Sequence, residues 1–232
     1  MSANVSSIAE GSADGRNLSE LATELIKRDI LGAAFYPGDK LLLEALSERY
    51  GIGVNPVREA LNRLCSAGFV EHRHQRGFFV AGMSMDALAE LVKTRIWLET
   101  KALEESMKNA TEEWEERVIV AYHRLARTQL RLGNSTDRAD NEAWEERHKA
   151  FHLLLLERCG SSWMIGFCST MMDQSVRYRN LSVSANHARR GDALPEHASI
   201  MDAVLDRDVP AALALLEQHY MRTFEGLRSL PL

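Results

Sequence analysis

Residues 83–232 show helical periodicity that proline hardly interrupts. Prolines occur in this part of the chain only at positions 195, 210 and 231, while apolar residues recur at the three- and four-residue spacing of an amphipathic helix. The pattern predicts helices at 85–109, 111–132, 141–159, 162–182, 194–206 and 209–228. Helices of this number suffice for an all-α bundle with an enclosed centre. We therefore expect residues 83–232 to form one helical domain.

Residues 18–82 have a different order of predicted elements. Three helices are expected, beginning at Leu18, Leu43 and Asn55, with Asn55 as the N-cap of the third and Pro56 at its first helical position. Two short apolar segments, 69–71 and 78–81, flank a basic turn and predict a small β-hairpin. Residues 1–17 are rich in Ser, Ala and Gly and are expected to be a mobile leader.

Composition excludes several classes of protein. Of the 232 residues, 45% are hydrophobic and 26% charged, with a formal net charge of −5, as is usual for globular proteins. No apolar run approaches the roughly 18 to 20 residues of a membrane helix, and the start of the chain does not resemble a signal peptide. The 3 cysteines cannot all pair within one chain. We therefore expect a cytoplasmic protein without a membrane segment.

Positive charge is concentrated around the third helix and the hairpin. Between Arg49 and Arg76 there are five arginines and two acidic residues, a net charge of +3. A helix that enters the DNA major groove needs polar or basic side chains on one face and a supporting helix behind it. Spacing alone leaves DNA binding and an ordinary solvated surface equally open. The candidate DNA-binding residues are Asn55, Arg58, Asn62, Arg63, Arg73 and Arg76.

Four short motifs in this region resemble one known family. Pro37-Gly-x-x-Leu, Pro56-Val-Arg-Glu-Ala-Leu-x-x-Leu, Gly68-Phe-Val and Arg76-Gly-Phe-x-Val are similar to the winged helix-turn-helix of the GntR family of bacterial transcription regulators. The resemblance implies that Arg58 contacts DNA from the recognition helix and that Arg76 and Gly77 do so from the wing. The chain departs from the family at Gly53-Val54, where a Ser-Arg pair is usual. One customary base-reading arginine is therefore missing.

Four histidines of the second part have a spacing that suits metal binding. His148 and His152 lie four residues apart on one predicted helix, so both rings project from the same face. His197 and His219 lie on two later helices, which a bundle can bring to the same centre. Imidazole suits zinc, nickel, copper or iron. Single histidines on helices are more often core or surface residues, so spacing alone does not establish a site.

The surroundings of these histidines resemble the helical effector domain of the FadR branch, the FCD domain. The similar stretches are Phe151-His152, Glu196-His197-x-x-Ile200, Asp206-Arg-Asp-Val-Pro-Ala-Ala and the late His219. The resemblance implies a divalent metal held by three histidines and one aspartate. His148 stands at the aspartate position, which favours a four-histidine site for zinc, or alternatively nickel; Glu145 is the other candidate for the fourth ligand. Because imidazole must be neutral to coordinate, metal affinity is expected to fall below about pH 6.5.

An effector pocket is expected beside the metal. Arg95 and Glu99 are four residues apart, which is compatible with a surface ion pair, but the FCD resemblance implies that the arginine faces the effector. A guanidinium can bind a carboxylate through two hydrogen bonds. Arg177 and Tyr178 are further candidates, for which a plain helix surface is equally open. The segment from Trp144 to His152, followed by Cys-Gly-Ser, resembles a subgroup that responds to short dicarboxylates such as glutarate.

Together these features predict a homodimeric DNA-binding transcription repressor that a small carboxylate or dicarboxylate releases from double-stranded operator DNA. Two alternatives use the same histidines: a regulator that senses the metal itself, and a helical metalloenzyme. No motif pairs a metal-binding helix with a dedicated general base, as H-E-x-x-H does. We therefore predict that the protein is not an enzyme.

Overall fold

A computed structural model describes residues 17–132, 138–183 and 193–228, and the predicted leader therefore lies almost entirely outside the described residues. The chain divides into two compact units, 1–83 and 84–232.

The described residues of the first unit, 17–83, form three helices and a three-stranded antiparallel sheet. In chain order these are α1 (Leu18–Leu31), β1 (Lys40–Leu41), α2 (Leu43–Tyr50), α3 (Val54–Ser66), β2 (Val70–Arg73) and β3 (Gly77–Val80). Strand β3 lies in the middle of the sheet, between β1 and β2. Lys40 is opposite Phe79 in the first pair, and Val70 is opposite Val80 in the second.

The core of this unit is made of hydrocarbon side chains. Helix α3 buries Val57, Ala60, Leu61 and Leu64 and leaves its polar residues outside. One buried carboxylate joins α1 to α2: Asp29 accepts hydrogen bonds from the Arg49 guanidinium at 2.6 Å and the Tyr50 hydroxyl at 2.8 Å. Satisfied in this way, Asp29 can remain buried without leaving an unpaired charge.

One local prediction for this unit was wrong, and one strand was not predicted. Helix α3 begins at Val54 with Gly53 as its N-cap, so Asn55 is inside the first turn and caps nothing. Pro56 is tolerated there because the first turn has no intrahelical partner for its backbone N–H groups. The predicted hairpin also gains a third strand, β1, whose two residues are too few to give a visible alternation in the sequence.

The second unit is helical throughout the described residues. Its helices are α4 (Met85–Lys108), α5 (Glu112–Leu132), α6 (Arg138–Leu156), α7 (Ser162–Val183), α8 (Ala193–Leu205) and α9 (Val209–Leu227). All six match predicted segments, and the predicted fold class is confirmed. The largest difference is in α6, which lies three residues earlier than 141–159 at both ends. None of the described helices is long and apolar enough to cross a membrane.

Helix packing in the second unit encloses polar as well as apolar side chains. Helix α5 lies against α6, where the Trp114 indole donates to the Leu154 carbonyl at 2.8 Å. Helix α4 packs against α6, α7 and α9. The polar groups in the interior include Arg95, Glu99 and the four histidines of the predicted metal site, all less than one tenth exposed.

Candidate functional site

Helix α3 presents part of the predicted DNA-binding set on one exposed face. Asn55, Arg58 and Asn62 are exposed and are spaced by three and four residues, so they share that face. No hydrogen bond or ion pair engages the Arg58 side chain among the described residues. Arg63 is also exposed, but its guanidinium donates to Glu59 at 2.7 Å. Of the two α3 arginines, Arg58 is therefore the one whose donors are not engaged by any described residue.

The basic residues of the hairpin differ in how firmly they are held. The Arg73 guanidinium lies 4.4 Å from the centre of the Phe79 ring and 3.2 Å from a Glu71 oxygen. Arg76 is exposed at the tip, with its guanidinium 5.8 Å from the same ring. Gly77 has a φ of +91°, a conformation that a side chain would strain. The hairpin thus presents Arg76 at a tight turn whose shape requires this glycine.

The four predicted histidines meet in the interior of the second unit. His148 and His152 come from α6, His197 from α8 and His219 from α9, and all four are buried. One ring nitrogen from each lies within 4.8 Å of the corresponding atoms of the other three. His152 Nε2 is 3.2 Å from the Nε2 atoms of both His148 and His197. The bundle therefore gathers four imidazole nitrogens from three helices.

Two of these rings are oriented by hydrogen bonds at their outer nitrogens. His219 Nδ1 donates to Glu196 Oε2 at 2.7 Å. The Tyr220 hydroxyl donates its only proton to Glu99 Oε2 at 2.5 Å, so its oxygen accepts from His152 Nδ1, 3.3 Å away. In both histidines the proton is therefore on Nδ1, and the Nε2 lone pair is available to a metal ion, as in known carboxylate–histidine–metal arrangements.

Burial keeps the histidines in the neutral form that coordination requires. It lowers the pKa of His148, His152 and His197 well below the ordinary value near 6.5, and the neighbouring histidines and Arg179 lower the pKa of His148 further. The pKa of His219 is also lowered by burial, although hydrogen bonding to Glu196 opposes the shift. A cluster of neutral imidazoles is a donor set suited to zinc or nickel.

Glu145, the alternative fourth ligand, is engaged elsewhere. Its two oxygens accept from the Arg179 side chain at 2.6 and 3.2 Å. Its carboxylate is not among the groups that converge with the three other histidines, whereas His148 is. Of the two alternatives, the geometry favours His148.

Arg95 is buried beside the histidine cluster and does not stand free. Its Nε and Nη2 donate to the two oxygens of Glu99, at 2.6 and 3.3 Å, and its Nη1 donates to the Ser175 hydroxyl at 3.1 Å. The guanidinium lies 4.2 Å from the centre of the Tyr220 ring. The edge of the guanidinium that would grip a carboxylate through two hydrogen bonds is thus held by Glu99.

The two further effector candidates, Arg177 and Tyr178, are buried on α7 and do not lie on an exposed helix surface. The Arg177 guanidinium donates to Gln174 at 3.0 Å. Tyr178 meets the Ser84 backbone, three turns before Arg95 on α4, and burial raises the pKa of its hydroxyl. The α7 arginine whose charge acts on the histidines is Arg179 instead. Arg179 was not among the residues predicted from the sequence.

Glu196 and Tyr220 were also missed as parts of the site. Both could have been suspected from the sequence, because each is the immediate neighbour of a predicted ligand, His197 and His219 respectively. Their side chains support the ligand that lies on another helix or turn: Glu196 of α8 holds His219 of α9, and Tyr220 of α9 holds His152 of α6.

Comparison with known proteins matches both units to described domains. Residues 18–80 match the bacterial regulatory proteins of the gntR family, and residues 90–222 match the FCD domain. The solved structure of Escherichia coli McbR/YncC is similar in fold, with a TM-score of 0.78 at 19% identity over 92% of this chain and 98% of that one. A putative GntR transcriptional regulator from Rhodococcus sp. RHA1 gives a TM-score of 0.76 at 20% identity, over 92% of this chain and 99% of that one.

Curated relatives are similar over nearly the whole chain. The HTH-type transcriptional regulator BphR of Paraburkholderia xenovorans (strain LB400) is 35% identical over 93% of this chain and 87% of its own length. The HTH-type transcriptional repressor GlaR of Escherichia coli (strain K12) is 30% identical over 84% of this chain and 89% of its own. This chain therefore belongs to the GntR family, carries an FCD domain as its helical part, and is a DNA-binding transcription regulator and not an enzyme.

Proposed function

We propose that the protein is a homodimeric repressor whose helical domain holds one divalent metal ion and releases operator DNA when a small dicarboxylate binds beside that ion. His148, His152, His197 and His219 are the ligands of the metal, with zinc favoured over nickel. Arg95 and Arg179 flank the effector, and Arg58 and the hairpin arginines contact the DNA. Similarity to a relative named as a repressor supports the direction of regulation.

The charge balance of the buried site carries this proposal. Arg95 is paired with Glu99 at 2.6 Å and Arg179 with Glu145 at 2.6 Å, so each of these arginines is neutralised by its own glutamate. The four imidazoles are neutral. With a divalent ion held by these histidines, the site would gain two positive charges, and the Glu196 carboxylate beside His219 is already paired with Arg222 at 3.0 Å. Burying such a charge is costly unless a counter-charge accompanies it, and a dicarboxylate supplies two negative charges in one molecule.

The ion, when bound, supplies the positive charge toward which a carboxylate oxygen is drawn. The protein's own residues set the orientation of the effector. Arg95 and Arg179 approach the histidines from different helices, α4 and α7, and their charges act on His219 together. An effector between them would therefore be in contact with two helices of the bundle, and a shift of either could change how the DNA-binding units are presented.

On the DNA side, two copies of α3 are needed for specific recognition. One winged domain offers few base-contacting side chains, and two-fold proteins bind sites whose half-sites are related by the same symmetry. Arg58 is the side chain expected to contact a base. Gly53-Val54, which begins α3, offers no side-chain donor to a base edge. The operator preference is therefore expected to depend on Arg58 and Asn62.

Operator release tests the proposal. Operator DNA is first selected from random sequences by repeated rounds of binding, and footprinting should show paired half-sites. Zinc-loaded and metal-free protein are then titrated with succinate, glutarate and 2-oxoglutarate while operator binding is followed by fluorescence anisotropy. We expect at least one dicarboxylate to weaken operator binding about 5- to 150-fold, the usual range of allosteric coupling, and only in the zinc-loaded protein.

Matched variants separate the alternatives. Arg95→Lys keeps the buried charge but loses the two-donor edge, so it should reduce the response to dicarboxylate while operator and zinc binding are retained. Release by zinc alone would favour the metal-sensing regulator. A complete lack of response to every dicarboxylate, in protein that binds both zinc and operator, would overturn the effector proposal.

A further inference from the structure

The exposed face of α5 has a charge pattern that changes sign along the helix. Glu113 and Glu116 are exposed near its beginning, Val120 is 47% exposed in the middle, and Arg124 and Arg127 are exposed further on. Successive members are three or four residues apart, so they form a single stripe along one side of the helix. The stripe therefore runs from acidic through apolar to basic.

The charged residues lie at matching distances on either side of Val120. With a rise of about 1.5 Å per residue, Glu116 and Arg124 are each about 6 Å from Val120 along the axis, and Glu113 and Arg127 are each about 10.5 Å from it. A two-fold axis through Val120, perpendicular to the helix, would superimpose each acid on the position of a base. The stripe is therefore complementary to a second copy of itself in antiparallel orientation.

Most of these charges have no partner in the part of the chain that the structure describes. Among the described residues, no hydrogen bond or ion pair engages the side chains of Glu116, Arg124 or Arg127. Arg124 and Arg127 line a shallow hollow of about 480 Å³ with Thr128 and with Arg147 of α6. By contrast Arg117, on the edge of the stripe, is already held by Glu157 at 2.8 Å. The unpaired guanidinium groups are thus free to receive carboxylates from outside.

The helix macrodipole accounts for only part of this pattern. Acidic residues stabilise the first turn of a helix and basic residues the last, and the effect fades beyond that turn. Glu112 and Glu113 meet this description. Glu116 and Arg124 are too far from the ends of α5, and the dipole gives no reason for an exposed valine between them. A partner surface explains these three positions together.

We propose that α5 pairs with α5 of a second copy of this chain across a two-fold axis near Val120. The pairing brings Glu116 against Arg124 of the partner subunit, Glu113 against Arg127 of the partner subunit, and the two valines against each other. Every contact is made twice, as in any isologous interface. This inference deepens the proposed homodimer and rests on it, because it assigns the surface that holds the two DNA-binding units together.

Charge-reversal variants test the pairing without requiring the buried core to change. In Glu116→Arg alone, or Arg124→Glu alone, both copies present like charges at the pair, and the dimer dissociation constant should rise at least about tenfold. Mixing the two single variants should restore a dimer of near-parental affinity, because the mixed dimer again pairs opposite charges at both sites. The double variant Glu116→Arg/Arg124→Glu should also regain self-association. Sedimentation velocity of the parent, the two single variants, their mixture and the double variant measures each dissociation constant.

Two controls carry the same changes of charge at exposed positions of α4, outside the stripe: Glu90→Arg and Lys93→Glu should leave the dissociation constant unchanged. One outcome is a parent dimer that protects paired half-sites, with α5 variants that dimerise as tightly as the parent does. That result would reject α5 as the dimer interface and leave the proposed homodimer and its two-fold operator in place. If the parent is a monomer that protects a single half-site, both the homodimer and this interface are rejected. A failure of the mixed variants to recover would overturn the antiparallel pairing.

Discussion

The two units of this protein place their functional side chains in opposite environments. In the first unit the core is mainly hydrocarbon, with Asp29 as a paired exception, and the residues proposed for DNA contact are outside it, as Arg58 and Arg76 illustrate. In the second unit the candidate ligands and their supports are themselves the core: Glu99 and His197 are 0% exposed. The first unit can change its DNA contacts without touching its stability, whereas in the second unit binding and folding share the same atoms.

The largest effect that tests this contrast is the loss of one buried charge. Glu99→Gln would leave the Arg95 guanidinium buried without its counter-charge, and we expect a loss of about 3 to 5 kcal/mol in the free energy of unfolding. Glu59→Gln, which removes the exposed partner of Arg63 in the first unit, should change stability little. Urea unfolding measures the free energy of unfolding of both variants. Similar losses from the two would contradict the contrast between a charged core in the second unit and exposed charges in the first.

Metal binding should stabilise the second unit through the same core. A ligand that binds only the folded state, present at about 1,000 times its dissociation constant, adds about 4 kcal/mol. We therefore expect zinc to raise the unfolding free energy of the parent and of His74→Ala, a variant at the hairpin tip, but not that of His152→Ala. Elemental analysis should find one zinc per chain in the first two. Equal zinc binding by His152→Ala would contradict the four-histidine site.

Acid should weaken the metal-free second unit. Burial lowers the pKa of His148, His152 and His197 in the folded state, whereas the unfolded chain takes up protons on these residues below about pH 6.5. Stability should therefore be full above that pH and decline below it, until the histidines protonate in the folded state as well. Zinc affinity should persist below about pH 6.5, the value at which the ordinary pKa of histidine would make it fall. Unfolding and zinc titrations at pH 7.5 and 6.0 test both statements.

On the DNA side, smaller effects should appear without any change in stability. Arg58→Ala should cost about 1 to 3 kcal/mol of operator affinity if it contacts a base. Arg63→Ala should cost less, because its guanidinium is shared with Glu59 at 2.7 Å. Anisotropy titrations at one salt concentration compare the two. An equal loss from both would mean that the Glu59 pair opens on binding.

The smallest expected effect is a change of salt dependence. Arg73 lies on the hairpin beside Phe79 and Glu71, where it suits a phosphate contact better than a base edge. Arg73→Ala should weaken binding to all sequences alike and lower the slope of log affinity against log salt by about one per half-site. A selective loss for the operator alone would instead place Arg73 at a base.

Element order and the position of the four histidines could be predicted because both depend on patterns within a helix or a strand. Proline spacing and the interval between His148 and His152 are local features, and the family resemblance supplied the two later histidines. The N-cap of α3 was missed because Asn55 is the better capping residue locally, yet the helix begins two residues before Pro56, at Val54, with Gly53 as its N-cap. The start of α3 depends on how the turn between α2 and α3 packs, and the capping preference of a single residue does not describe that packing.

What could not be predicted was the set of partners across helices. Arg179 and Glu145 are 34 residues apart and meet only because α6 and α7 pack together. Nothing in the sequence distinguishes Arg179 from Arg177, since both lie on the same helix two positions apart. Their different surroundings follow from which side of α7 faces α6, and this depends on the packing of the whole bundle.

The hold of Glu99 on Arg95 has a consequence for the dose at which the regulator would respond. Glu99 is a carboxylate tethered to the edge of Arg95 that an effector carboxylate would seek, and a tethered competitor acts at a high effective concentration. An effector that uses this edge must displace it, so traces of common cellular acids would leave the operator bound. The intramolecular pair thus sets a threshold, and weakening it would be a direct way to make the switch respond at lower effector concentration.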